Sequence, residues 1–172
     1  MEHLASPPLF AVASLVLVTG CASYKLAEPA APIDAFATPP PDRAQVCVLR
    51  DSWLAQAVAF PVHDDGVLVG ATRGAGYFCY LAAPGRHVLT IESDKVEKAE
   101  LTAEAGGRYY LVHEVDNIFG YVRTRSVWLA ERAARERMED LPCQVLVGVP
   151  GSERLPAEVP FAPASAALSA SR

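Results

Sequence analysis

Apolar positions follow two rhythms along this chain and nearly vanish as a pattern in two stretches. Residues 9–18 (LFAVASLVLV) form an apolar run of ten, with Ser14 as its one hydroxyl. A helix that crosses a bilayer needs about 20 such residues, so a run this short suits the apolar region of an export signal. From residue 45 the pattern changes to period two. Residues 45–50 (QVCVLR) are apolar on both faces, as a central buried strand would be. Residues 57–62 and 67–71 flank His63-Asp64-Asp65-Gly66, a hairpin signal because Asp-Gly tolerates positive φ. Residues 77–81 predict another strand, closed by Ala83-Pro84-Gly85. His87, Leu89 and Ile91 alternate with Val88, Thr90 and Glu92, and Ala99, Leu101 and Ala103 alternate with Lys98, Glu100 and Thr102. Gly106-Gly107 turns the chain into residues 108–115 (RYYLVHEV), residues 121–129 follow as a strand, and residues 143–149 suit a last edge strand.

About eight short strands with turns every eight to twelve residues predict a mainly β fold, an antiparallel β-sandwich. One helix is expected over 130–141, where Ala134, Met138 and Leu141 share a face, Arg132, Arg135 and Glu139 are polar, and Pro142 stops it. On either side of this 45–149 domain the rhythm is lost. Residues 22–44 are rich in Ala and Pro, a composition that buries too little surface to offset chain entropy, so an extended tether is expected. Residues 150–172 are similar and predict a disordered tail.

The apolar run ends in Val18-Thr19-Gly20-Cys21, which resembles the bacterial lipobox. Small side chains allow a signal peptidase to hold the chain extended, and the Cys21 sulfur would take a diacylglycerol thioether. Residues 1–21 are then a lipoprotein signal peptide ending at the lipidated cysteine. Each buried acyl methylene contributes about 0.8 kcal/mol, so several chains on one cysteine anchor a protein durably. The segment before the run, Met1-Glu2-His3, leaves the terminal amine as its positive charge. Ala22 after the cysteine, where Asp is absent, favours the outer membrane by likeness to Gram-negative lipoproteins. The expected place is therefore the bacterial cell envelope, on a membrane face towards the periplasm.

Charge narrows the partners. The net charge is -5, and loss of residues 1–21 removes only Glu2, leaving -4. With no Lys/Arg run either, nothing in the charge favours nucleic acid or anionic lipid. The expected partners are the membrane, through the anchor, and an envelope protein or glycan.

Catalytic patterns are missing. His63, His87 and His113 lie on different predicted elements without metal-ligand spacing, so no metal or other cofactor is expected. His87 reads as a half-buried structural imidazole. His113 and Glu114 point to opposite faces of one strand, which argues against a catalytic pair. Gly70, Gly74 and Gly76 lack the Lys-Ser/Thr of a phosphate loop and read as turn or bulge glycines. Asp64-Asp65-Gly66 is too short a loop to gather the six oxygens of calcium. Asp51 or Glu114 would serve as acid or base, yet nothing in the sequence pairs either with a second carboxylate. No enzyme is expected.

With Cys21 lipidated, Cys47, Cys79 and Cys143 remain in an oxidising compartment. Cys47 and Cys79 both sit mid-strand; a bridge between neighbouring strands or sheets, or two buried free thiols, would suit them, and the bridge is preferred. The best binding candidates are loops, 51–54 with Trp53 and 116–121 with Phe119 and Tyr121, because exposed aromatics on loops mark recognition. The alternative is that Trp53 and Phe119 plug the ends of the sandwich.

From residue 42 to 146 the order of features resembles the DUF2846 family of bacterial lipoproteins. The likeness is carried by the strand ending in Arg50, the hairpin 62–70 and Gly76-Tyr77-Phe78. It continues in Leu81-Ala82-Ala83-Pro84-Gly85-Arg86-His87, Ala105-Gly106-Gly107-Arg108-Tyr109-Tyr110 and Phe119-Gly120-Tyr121. The Leu-x-x-Pro-Gly-x-His segment is also similar to PEGA and carboxypeptidase-regulatory-like sandwich modules. The resemblance implies a lipid-anchored β-domain without catalytic residues. Taken with the anchor, it predicts a non-enzymatic envelope lipoprotein that binds an envelope protein or cell-wall component. A carbohydrate- or small-ligand-binding module is the alternative, and a hydrolase the remote one.

Overall fold

The computed structural model describes residues 23–31, 33–93, 95–118 and 121–150, with backbone alone at 117, 118 and 121–123. The fold is mainly β. Ten strands and one helix are assigned: β1 (Lys25–Ala27), β2 (Ala44–Arg50), β3 (Ala59–Asp64), β4 (Val67–Arg73), β5 (Gly76–Ala82), β6 (Gly85–Glu92), β7 (Val96–Ala103), β8 (Arg108–Ile118), β9 (Tyr121–Leu129), α1 (Glu131–Met138) and β10 (Val145–Gly148). Two four-stranded sheets, ordered β5-β2-β8-β9 and β4-β3-β6-β7, face each other, and β1 pairs with β10 in a small third sheet. Ten strands stand among the described residues: β10 falls within the edge strand expected over 143–149, and β1, inside the stretch expected as a tether, was not foreseen.

The alternation specifies the core. Val46 and Val48 of β2, Phe78 and Tyr80 of β5 and Leu111 of β8 meet Phe60, Val62, Leu89, Ile91 and Leu101 from the facing sheet. All seven residues of β2 are buried, because the opposite face of its sheet is covered too. There Leu49, Tyr110 and Val112 pack with Ala134 and Met138 of α1 and with Ala35. Cys47 and Cys79 are directly opposite in the antiparallel β2–β5 pair and are joined by a disulfide.

Four expectations are corrected. The sandwich is not purely antiparallel, since β2 and β8 run parallel at the centre of their sheet. Parallel neighbours need a long connection, and β3 to β7 provide it, four of them in the other sheet and β5 at the edge of this one. The 22–44 stretch is no free tether within its described part. Lys25–Ala27 pairs with β10, Ala35 is buried, and Phe36 stacks 5.4 Å from Tyr110 under the Arg135 guanidinium. Its few large apolar residues cover sheet surface that would otherwise face water. Finally, the helix is shorter than 130–141. It closes at Met138, and Leu141 N–H turns back to the Met138 carbonyl just before Pro142. The expected loop 116–121 also contracts, as β8 runs to Ile118 and β9 starts at Tyr121.

The hairpin at Asp65-Gly66 has the predicted form, with φ of 48° and 83° at the two turn residues. Gly70 stands at the register shift of the β3–β4 pair, in keeping with a bulge glycine, and a Cβ there would also collide with the Phe78 ring, so the aromatic settles on bare backbone.

Candidate functional site

One end of the sandwich is closed by loop 51–58, which follows β2. Arg50, the last residue of β2, is fully buried and faces between the sheets. Its guanidinium donates to the carbonyls of Leu54 and Val58 and lies 4.8 Å over the Phe60 ring. The loop thus wraps around a buried cation. Ser52 ties it to the sheet, donating to the Val115 carbonyl at 3.1 Å and accepting from Leu54 N–H at 3.2 Å. Ala55 takes a φ of 50°, in the left-handed region, and its carbonyl accepts from Val58 N–H at 2.9 Å.

Outside this clamp lies an open groove of about 470 Å³. Loop residues 51–54 form one wall, and Glu114, Val115 and Asp116 of β8 form the other, with Arg137 of α1 between them. Arg137 Nη1 is 3.2 Å from Asp51 Oδ2 and 3.2 Å from Glu114 Oε1, so one nitrogen bridges two carboxylates. Arg125 Nε holds the other oxygen of Glu114 at 3.1 Å. These bonds, first from Arg125 and then from Arg137, keep Glu114 below the usual carboxylate range despite the opposing cost of burial. Trp53 stands at the mouth and is 74% exposed, the most exposed of the large apolar residues. An exposed indole beside polar groups held in fixed directions makes this groove the candidate binding site.

Beneath the groove, His113 of β8 is fully buried with its ring 5.0 Å from Phe60, edge to face at 87°. Burial, and then the Arg50 charge, push its pKa down to about 4. Neither ring nitrogen of His113 finds a hydrogen-bond partner among the described residues, and the same holds for Arg50 Nε, Thr72 Oγ1 and Ser126 Oγ.

At the opposite end a second polar group sits between the sheets. Tyr80 donates to Asp64 at 3.0 Å, and His87 Nδ1 is 3.0 Å from Asp64 Oδ1 and 2.9 Å from Oδ2. His87 Nε2 is 2.7 Å from the Ala83 carbonyl. A carboxylate and a carbonyl only accept, so protons on both ring nitrogens, the imidazolium form, suit this geometry. Burial works against that charge, but the Ala83 carbonyl and the Asp64 and Asp65 carboxylates outweigh it, and the pKa rises. Asp64, Asp65 and His87 approach closely enough for a shared cation. A metal there would have to take a His87 ring nitrogen away from the acceptor it now faces.

The remaining sequence candidates divide plainly. Val18, Thr19, Gly20 and Cys21 lie outside the described residues, as does Phe119. Tyr121 opens β9, and only its backbone is described. Trp53 lines the groove. Asp51 and Glu114, which sequence spacing left apart, are brought together by Arg137; residues from three elements carried no linear signal of this. Among the described residues no helix is long and apolar enough to cross a membrane. Compared with known proteins, the chain matches no family model, no curated protein and no solved structure.

Proposed function

We propose that the chain is a bacterial envelope lipoprotein, anchored through Cys21, whose β-sandwich binds an envelope component and carries out no catalysis. The lipobox-like Val18-Thr19-Gly20-Cys21 and the DUF2846-like order of features support the anchor and the compartment. The observation that carries the binding role is Trp53, 74% exposed at the mouth of a groove whose opposite polar wall is held by ion pairs. Burying an indole contributes several kcal/mol, so leaving one in water makes sense where a partner covers it.

Hydrolysis fits the groove less well. General-acid chemistry needs a carboxyl that keeps its proton near neutral pH, whereas Glu114 is shifted the opposite way. Two tests address the two halves of this reading. Labelling cells with a palmitate analogue should mark the wild type and leave Cys21→Ser unmarked; equal labelling would remove the anchor. The lipidated protein should co-sediment with purified cell-wall sacculi or crosslink to one envelope protein, and Trp53→Ala should lose that association. Retention of it by the variant would remove the groove.

A further inference from the structure

Resting on that reading of the groove, we infer that its ligand is a saccharide, with a pyranose ring stacked on Trp53 and its hydroxyls bonded to Asp51, Glu114 and Arg137. Three features of the site converge on an uncharged, hydroxyl-rich ligand.

The first is charge compensation in place. Asp51 and Glu114 share Arg137, and Glu114 is also held by Arg125. An incoming cation would have to displace Arg137 from both carboxylates, and an anion would meet Asp51, Glu114 and Asp116 together. A neutral ligand disturbs none of these pairs. It finds acceptor lone pairs and guanidinium N–H groups already fixed in direction, which is what hydroxyls, being donors and acceptors at once, can use.

The second is the platform. The indole is exposed and flat, and the axial C–H groups of a pyranose present an apolar face of matching shape. Trp supplies large contact area at low conformational-entropy cost.

The third is preorganisation. The loop that carries Trp53 is fixed at Leu54 and Val58 by buried Arg50 and at Ser52 by the Val115 carbonyl. A weakly bound sugar returns little energy for ordering a loop, so a loop ordered beforehand suits it. The volume, about 470 Å³, accommodates one to two rings.

The experiment uses the full lipidated chain in detergent, titrated by calorimetry and tryptophan fluorescence with chitotriose and, separately, cellotriose. At least one should bind, and Trp53→Ala should weaken it by about tenfold or more, Trp53→Phe by less, and Asp51→Asn by about fivefold, each fivefold to tenfold step being about 1–1.4 kcal/mol. Affinity should hold between about 0.05 and about 0.5 M salt, because no net charge is exchanged. Binding of neither trisaccharide, undiminished binding by Trp53→Ala, or a steep fall with salt would each overturn the saccharide assignment. Trp53-dependent association with an envelope protein, without trisaccharide binding, would also overturn it while leaving the binding-module reading intact. Loss of that association as well would remove both.

Discussion

The two ends of the sandwich each hold buried polar side chains, and they handle them in opposite ways. At the far end, Tyr80, Asp64, His87 and the Ala83 carbonyl form a chain in which every group meets a partner. At the groove end, Arg50 has backbone carbonyls and an aromatic face but no carboxylate, and His113, Thr72 and Arg50 Nε keep unpartnered polar atoms. A closed network of charges stiffens and specifies a fold, whereas open polar valence costs stability and is tolerated where something else is gained. By that measure the far end is structural. The groove end is the one we propose as functional, and what its open polar valence accompanies is the loop wrapped around Arg50.

The sharpest way to break this contrast is to cut the far network. Asp64→Ala removes the acceptor of Tyr80 and the nearest carboxylate of His87, leaving the ring only the Ala83 carbonyl and the more exposed Asp65 at 3.7 Å. The expected loss is about 4 kcal/mol in denaturant unfolding, within the range for breaking a buried pair from one side. A loss below about 1 kcal/mol would mean that the network is not closed in solution.

Acidity should separate the ends next. His113 has its pKa lowered from the ordinary 6.5 to about 4, so the unfolded chain binds a proton in that window that the folded chain refuses. Its contribution is fully present above pH 6.5 and is lost as pH falls towards 4, a total of about 3 kcal/mol. His87 acts in reverse. Its pKa is raised, so the stability it contributes is complete below the unfolded value and fades as pH climbs through the folded one. Unfolding measured across pH should therefore show an acid limb that His113→Leu flattens and an alkaline limb that His87→Gln flattens. Exchange of those assignments would reverse the roles given to the two ends.

How far the sequence discloses these ends depends on whether their parts are local. The Asp65-Gly66 turn and the alternation of His87, Leu89 and Ile91 are local patterns, and both are realised. Cys47 and Cys79 are 32 residues apart, yet both strands were legible and the preferred bridge joins them. Arg50 reads as the polar end of an apolar strand; its burial depends on Leu54 and Val58 folding back over it. The Asp51–Arg137 bond spans 86 positions, beyond any periodicity. The docking of Ala35 and Phe36 was hidden by composition, because Ala and Pro dominate a stretch in which a few apolar residues decide the outcome. The parallel β2–β8 pairing is likewise a long-range choice that alternation cannot express.

Arg50 provides a smaller and more discriminating test. Arg50→Met keeps the apolar stem over Phe60 and removes a charge that has no carboxylate to strand. The expected cost is about 1 kcal/mol or less, since the desolvation cost of the buried charge disappears with it and no opposite charge is left behind. The Leu54 and Val58 carbonyls would nevertheless lose their donor, so the loop should loosen. Faster amide exchange across 52–58 with nearly unchanged global stability is the expected result. A cost near that of Asp64→Ala, with exchange accelerated everywhere, would make Arg50 a structural residue and erase the difference between the ends.

The smallest effect belongs to Trp53 and carries the most direct consequence for the groove. If the indole plugged the end of the sandwich, its truncation would cost about 3–5 kcal/mol, as large-to-small changes in packed sites do. At 74% exposure it has little packing to lose, and Trp53→Ala should alter unfolding free energy by no more than about 0.5 kcal/mol. Denaturant midpoints of the two proteins, compared at one pH, decide between plug and platform. A shift of several kcal/mol would return Trp53 to the core and leave the groove without its aromatic face. Coincident midpoints would leave the indole free for a partner, on a loop held from below by Arg50.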